Sequence, residues 1–137
     1  MEQAVWLYMG VISAVFGILI IATIVLDSQE QVKLQEVKNS IERINQLCNF
    51  VCDSDDGTLL SEKLKLPSGA SVSARVSTKA VCITYSGSSK CASCKCGLNK
   101  DYDLNLATPE HVFAFNISDY RCFFDKNFGR VSFECKG

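Results

Sequence analysis

The chain has 137 residues, with 14 basic and 15 acidic side chains and a formal net charge of −1. This balance excludes the strong basic field that draws a protein to nucleic acid or to an anionic membrane surface. The eight cysteines all follow residue 47, a usage typical of a small domain in an oxidising, extracellular compartment.

Residues 4–26 form an apolar segment without a single charged side chain. A helix of that length would extend about 35 Å, enough to cross the hydrocarbon core of a bilayer. Gly10, Ser13, Ala14 and Gly17 place small residues three and four positions apart, which lets a second helix approach closely. A plain membrane anchor is the simpler interpretation, but it does not require such a face.

Residues 27–52 continue the helix in amphipathic form, because no Pro or Gly interrupts them and apolar residues recur every three or four positions. These residues are Leu34, Val37, Ile41, Ile44, Cys48 and Val51. The sequence therefore predicts one helical stem over residues 1–52, roughly 75 Å long. Its second half must pack against something.

The N-terminus lacks the basic start and the small-residue cleavage site of a secretory signal peptide. It also lacks a basic residue before the apolar segment, and the nearest one, Lys33, lies on the other side. Removal of a short basic leader is one interpretation. An unprocessed start at Met1 is the other.

Residues 53–137 have a different pattern and are predicted to form a β-domain. Asp53, Ser54, Asp55, Asp56 and Gly57 are turn formers that end the helix, and apolar and polar residues alternate afterwards. Residues 86–101 read as a loop by composition. The alternating stretches lie near residues 60–66, 72–76, 81–85, 102–107, 111–118, 120–125 and 130–135, with a turn predicted at Ser118 and Asp119.

These patterns predict an α+β fold, a long N-terminal helix followed by a small disulfide-rich antiparallel sandwich or barrel. The predicted core of the β-domain consists of Leu64, Leu66, Val72, Val81, Ile83, Leu104, Phe113, Phe115, Phe124, Val131 and Phe133.

The order of the predicted elements resembles that of a type IV pilin. An uncharged helix with one acidic residue near its start is followed by an amphipathic continuation and then by a compact β-domain. The β-only, cysteine-rich domain is most similar to archaeal pilins and archaellins. Bacterial pilins usually carry Glu at the fifth position of the mature chain, where this sequence has Val5. Glu2 is the nearby acidic residue, and the resemblance implies either that it takes a comparable part or that assembly proceeds without that contact.

The resemblance implies a structural subunit rather than an enzyme, without a cofactor. Such a subunit lies in the membrane until the pilus assembly machinery takes it into an extracellular filament of identical copies. The implied assembly residues are Glu2, Gly10, Ser13, Ala14 and Gly17, and surface adhesion or motility is the expected role. The alternative is a membrane-anchored binding or adhesion domain that stays monomeric, with the amphipathic stripe packed only on its own β-domain.

The cysteines are predicted to form structural disulfides, and they are Cys48, Cys52, Cys82, Cys91, Cys94, Cys96, Cys122 and Cys135. Cys48 and Cys52 lie one helical turn apart, so each is expected to bridge into the β-domain. Eight cysteines allow 105 pairings, among which sequence does not choose. A zinc site at Cys91, Cys94 and Cys96, completed by Cys82 or His111, and a redox motif at Cys94 are the alternative interpretations.

Three weaker patterns remain. Asn116 opens an Asn-Ile-Ser acceptor triplet for N-glycosylation. His111 has no nucleophile or carboxylate partner nearby in sequence. Asp53, Asp55 and Asp56 suggest calcium, but the other ligands of an EF-hand loop are missing, so a helix-ending turn is the better explanation.

Overall fold

A computed structural model describes residues 1–106 and 117–137 of the chain. The described part contains one helix, α1 (Glu2–Cys52), and seven strands. The strands are β1 (Leu59–Pro67), β2 (Ser71–Arg75), β3 (Ala80–Tyr85), β4 (Ser88–Ser93), β5 (Tyr102–Asn105), β6 (Ile117–Asn127) and β7 (Arg130–Lys136). The predicted α+β fold is confirmed.

Helix α1 is continuous over 51 residues because no helix-breaking Pro lies within it. It ends where the turn formers begin, and Gly57 takes a φ of 87° in the turn that follows. Contacts within the chain divide it into two compact units, Met1–Val32 and Lys33–Gly137. We call the second unit the head.

The strands of the head form two antiparallel sheets. Sheet 1 has the order β1-β6-β7 and sheet 2 has the order β4-β3-β2-β5. Two hairpins have two-residue turns in which both central residues have positive φ, Ser86-Gly87 between β3 and β4 and Phe128-Gly129 between β6 and β7. This is the signature of a type I′ turn, whose twist matches that of the paired strands.

One continuous core fills the head, to which the second half of α1 and both sheets contribute. The helix buries Val37, Ile41, Ile44, Cys48 and Val51, as its periodicity predicts, together with Ser40 and Leu47. The buried strand residues include Leu64, Leu66, Val72, Val81, Ile83, Phe124, Val131 and Phe133. The amphipathic half of the helix therefore packs on the chain's own β-strands.

The structure corrects several sequence-based expectations. The stretch 86–101, predicted as a loop, contains β4, and the turn predicted at Ser118 and Asp119 lies inside β6. Leu34 is exposed, because it precedes the part of the helix that the sheets cover, and Leu104 on edge strand β5 is only half-buried. His111, Phe113, Phe115 and Asn116 lie outside the described residues.

Candidate assembly surface

The apolar segment is exposed along its whole length. Large apolar side chains from Val5 to Leu26 lie outward on all sides of the helix, and none of its most apolar stretch is buried. By length and composition α1 is able to cross a membrane. An apolar surface of this extent is unusual for a protein in water, and it marks contact with lipid or with other protein.

Gly10 and Gly17 serve no packing need among the residues that the structure describes. A methyl group added at either position would meet none of their atoms within 4 Å, apart from the backbone of its own helical turns. Each glycine in a helix interior nevertheless costs about 1 kcal/mol relative to alanine. Together with Ser13 and Ala14 they leave a shallow strip on the helix, where another helix is able to approach closely.

Of the three hydroxyl groups in the apolar segment, those of Ser13 and Thr23 are satisfied within the helix. Ser13 Oγ donates to the Met9 carbonyl at 2.9 Å, and Thr23 Oγ1 donates to the Ile20 carbonyl at 2.8 Å. Such bonds remove the cost of placing a hydroxyl in an environment without water. The segment is thus suited to lipid or to a dry bundle of helices. Glu2 lies in the first turn, where a negative charge favours the helix dipole.

Two disulfides within the head fasten the C-terminal end of α1 to the turn that follows β4, Cys48–Cys94 and Cys52–Cys96. Both confirm that Cys48 and Cys52 bridge into the β-domain and not to each other. The spacing matches because four helical residues rise ~6 Å. Residues 94–97 form a turn closed by the Gly97 N–H on the Cys94 carbonyl, and a β-turn keeps its ends within about 7 Å.

Lys126 of β6 supplies the cation that the end of α1 lacks. The last turn of the helix has no basic residue of its own. The Lys126 ammonium donates to the Cys52 carbonyl at 2.8 Å and also to the Ser54 carbonyl. These are carbonyls without helical partners, and a cation at the negative end of the helix dipole stabilises them.

The other two disulfides cross-link neighbouring strands, Cys82–Cys91 between β3 and β4 and Cys122–Cys135 between β6 and β7. All eight cysteines are therefore paired. Because Cys91, Cys94 and Cys96 belong to three different disulfides, their sulfur atoms are not available as zinc ligands or as a redox pair.

Two of the carboxylates considered for calcium make other contacts. Asp53 pairs with Lys95 at 3.5 Å, and Asp56 Oδ1 accepts a hydrogen bond from the Gly129 N–H at 3.0 Å. Both contacts hold the turn after α1 against the rest of the head. Among residues 1–106 and 117–137, no three acidic, His or Cys side chains converge on a possible metal position.

Arg75 and Asp103 form a two-pronged ion pair between β2 and β5 on the outer face of sheet 2. The two guanidinium–carboxylate distances are 3.0 and 2.8 Å. The hydrogen bond and the charge of Asp103 raise the pKa of Arg75. Like any guanidinium, Arg75 is charged at physiological pH, and its two hydrogen bonds to Asp103 help to hold the edge strand β5 against β2.

Several structurally important residues have no clear sequence signal. Lys126, Ser40 and Tyr102 look like ordinary members of a helix or strand. Yet Ser40 Oγ donates to the Lys65 carbonyl on β1 at 2.8 Å, and the Tyr102 hydroxyl donates to the Cys135 carbonyl at 2.7 Å. Ser40 offered one hint, since it is a polar residue at the helical spacing of the apolar stripe.

Comparison of the chain with protein-family models, curated proteins and solved structures finds no match.

Proposed function

We propose that this protein is the structural subunit of an extracellular, type IV pilus-like filament, whose core is a bundle of the apolar segments of many copies. The observation that carries the proposal is the uncovered apolar segment, at the start of a helix whose other half is fastened into the head. The order of elements, helix first and cysteine-rich β-strands after it, agrees with the resemblance to archaeal pilins and archaellins.

The energetics favour burial of this segment in protein or lipid over exposure to water. A helix of 23 apolar residues exposes on the order of 2,000 Å² of apolar surface, and at ~25 cal/mol per Å² its removal from water is worth about 50 kcal/mol. Association costs reduce this figure but do not reverse its sign. A single copy in water is therefore untenable, whereas a bundle of copies replaces lipid by neighbouring side chains.

The small-residue strip favours a bundle over a plain anchor. Gly10 and Gly17 weaken the helix without any packing gain among the described residues. Close contact with a neighbouring helix supplies the missing gain, because backbone atoms then meet in van der Waals contact. A contact between two different faces that does not close into a ring propagates into a helical polymer.

The remaining features fit a subunit that is exposed outside the cell. Four disulfides in a head of this size belong to an oxidising compartment. Before assembly, the apolar segment would lie in the membrane, where the pilus assembly machinery receives it. Adhesion and motility are the roles we propose for the filament, with Asn116 as a position for a glycan.

A monomeric, membrane-anchored binding domain is the second candidate. It is favoured by one observation, the packing of Val37, Ile41, Ile44 and Val51 on the chain's own strands. A head that covers this stripe by itself needs no neighbour there. In this case the apolar segment stays in lipid.

Electron microscopy of material sheared from the cell surface separates the two. We expect filaments whose only repeating component, identified by mass spectrometry, is this chain. Sheared material without such filaments, and with the chain retained in the membrane fraction, would contradict the proposal.

A matched pair of variants tests the bundle directly. Gly17→Leu should reduce filament yield at least tenfold, because its side chain separates helices that otherwise touch. Ile18→Leu keeps the volume and should form normal filaments. Equal yields from both variants would refute close packing at Gly17.

A further inference from the structure

Phe128 stands out among the residues of the head because its ring is almost completely exposed, at 95%. It occupies the first central position of the type I′ turn between β6 and β7, with a φ of 53°. Such turns favour Asn, Asp or Gly, and a bulky residue in this left-handed region is uncommon. The equivalent position of the β3–β4 turn holds the small polar Ser86. No contact among the described residues of the head accounts for a phenylalanine here.

The base of this turn is firmly held. The Gly129 N–H donates to Asp56 Oδ1 at 3.0 Å, and backbone hydrogen bonds of 2.8 and 3.0 Å join Lys126 to Gly57 and Thr58. The Lys126 side chain reaches the end of α1. The ring is therefore presented on a rigid support, so that little conformational entropy is lost when it binds.

The surroundings of Phe128 carry more acid than base. Asp56 touches the turn itself and Asp55 is its exposed neighbour, whereas Asp125 on β6 lines a depression together with Lys100. Arg130, at the start of β7, is an exposed cation in the same hairpin. Lys126 is already engaged with helix carbonyls. The tip of the hairpin thus combines an apolar ring with a local excess of negative charge.

A groove of the opposite character lies on the outer face of sheet 1. Its volume is about 360 Å³, and its lining includes Lys63, Asp119, Arg121, Phe123 and Lys136. The Lys136 ammonium lies 6.0 Å from the centre of the Phe123 ring and pairs with Glu134 at 3.6 Å. Lys63 and Arg121 form no ion pair with any residue in 1–106 or 117–137. The groove therefore combines one aromatic ring with three basic side chains and one acidic side chain, that of Asp119.

The tip and the groove lie at different places on the same sheet. Arg121 is seven residues from Phe128, which corresponds to about 24 Å along a strand. A chain therefore does not fill its own groove with its own Phe128. A second copy is able to do so, and aromatic rings that meet edge to face, with opposite charges around them, are a favourable pair.

We infer that Phe128 of one chain docks into the Phe123 groove of a neighbouring copy, with Asp55 and Asp56 facing Lys63 and Arg121. This inference rests on the proposed filament in that the neighbour is the next subunit. In the proposed filament the tip of each copy docks into the groove of the next, so the contact is heterologous and repeats from copy to copy. It joins heads on the outside of the filament, in addition to the bundle of apolar segments.

Photo-cross-linking tests the contact in the full-length protein. A benzophenone amino acid replaces Phe128, surface material is irradiated, and the products are mapped by mass spectrometry. We expect a ladder of covalent oligomers in which position 128 is joined to the peptide around Phe123 or Lys136 of another chain. Cross-links to lipid, to another part of the chain, or to nothing would overturn the inference.

This experiment separates the inference from the proposed function. Filaments with cross-links elsewhere refute the groove contact and leave the filament proposal intact. Groove cross-links between chains that form no filament refute the filament and leave the contact.

Variants provide a second test with matched controls. Phe128→Asn suits the turn, so the head stays folded, and the sedimentable fraction of the chain should fall at least fivefold. Ser86→Asn makes the corresponding change in the other turn and should have no effect. An unchanged sedimentable fraction for Phe128→Asn would overturn the inference.

Charge reversal tests the rim of the groove. Arg121→Glu should lower the sedimentable fraction at least threefold, and the double variant Asp55→Lys with Arg121→Glu should restore most of it. Lys90→Glu, on exposed strand β4 of the other sheet, is the control. A double variant no better than Arg121→Glu alone would contradict the proposed pairing.

Discussion

Replacement of Lys126 by Met should destabilise the head more than replacement of an exposed lysine such as Lys95. The Lys126 ammonium holds the Cys52 and Ser54 carbonyls at the end of α1. Methionine keeps most of the aliphatic length but leaves both carbonyls without this donor. Since the side chain is only half-buried, water partly replaces it, and the loss is smaller than for a deeply buried cation.

The magnitude follows from the two hydrogen bonds. A hydrogen bond to a charged group contributes ~1.5–3 kcal/mol when it is well shielded from water. With partial exposure, the two together should be worth about 2 kcal/mol. For a domain of this size, a loss of that order lowers the melting temperature by roughly 10 °C.

Urea unfolding of the full chain in detergent measures this loss. Near-ultraviolet circular dichroism follows the head, because Tyr85, Tyr102 and Tyr120 lie there. Hydrogen exchange should also show faster exchange at residues 53–58. Lys95→Met is the control, since the exposed pair of Lys95 with Asp53 should be worth under ~1 kcal/mol. Equal unfolding midpoints for the two variants would refute the role assigned to Lys126.

Two further predictions concern the disulfides and the exposed turn. Replacement by Ser of all four cysteines in Cys48–Cys94 and Cys52–Cys96, which together close the long loop, should cost at least about 4 kcal/mol, and replacement of Cys82 and Cys91, which close a short loop, about 2.5 kcal/mol. Thermal unfolding ranks the two, and the reverse order would contradict the loop-length argument. Phe128→Asn should raise the melting temperature of the head by about 4 °C or more, because it relieves ~1 kcal/mol of left-handed backbone strain. A lower melting temperature would mean that the ring supports the fold.

The helix was predictable because its signals are long and mutually consistent. The apolar segment has 23 uncharged residues, and residues 27–52 have an apolar stripe at helical spacing without Pro or Gly. Together these two signals predict α1 almost to its last residue. Strands β1, β2, β3 and β7 were predictable from the alternation of apolar and polar residues. In each of them one face lies in the core and the other faces solvent, so the period of two is visible.

Strand β4 was not predicted, because its sequence, SSKCAS, is typical of an exposed strand at the edge of a sheet. Only Ala92 is buried, so no alternation is visible, and the pairing is specified by the Ser86-Gly87 turn and by Cys82–Cys91. Ser118 and Asp119 looked like a turn because β6 begins with polar residues, yet pairing with β1 keeps them extended. The conformation of edge strands and strand ends is therefore determined by the strands that lie beside them and not by their own sequence pattern.

The candidate assembly surface could be predicted only in part from the sequence. The small residues of the apolar segment were visible because their spacing is regular. Phe128 and Lys126 gave no signal, since their importance comes from a backbone angle and from a helix end that is distant in sequence. The disulfide partners were equally hidden, because spacing alone does not show which turn lies beside the last turn of the helix.

The paired bridges Cys48–Cys94 and Cys52–Cys96 also determine what a protease is able to do to the chain. A single cut anywhere between residues 53 and 93 leaves two pieces that remain covalently joined at the end of α1. A nicked subunit would therefore keep its outer part attached, and a rod built from such subunits would tolerate damage at its surface without shedding material.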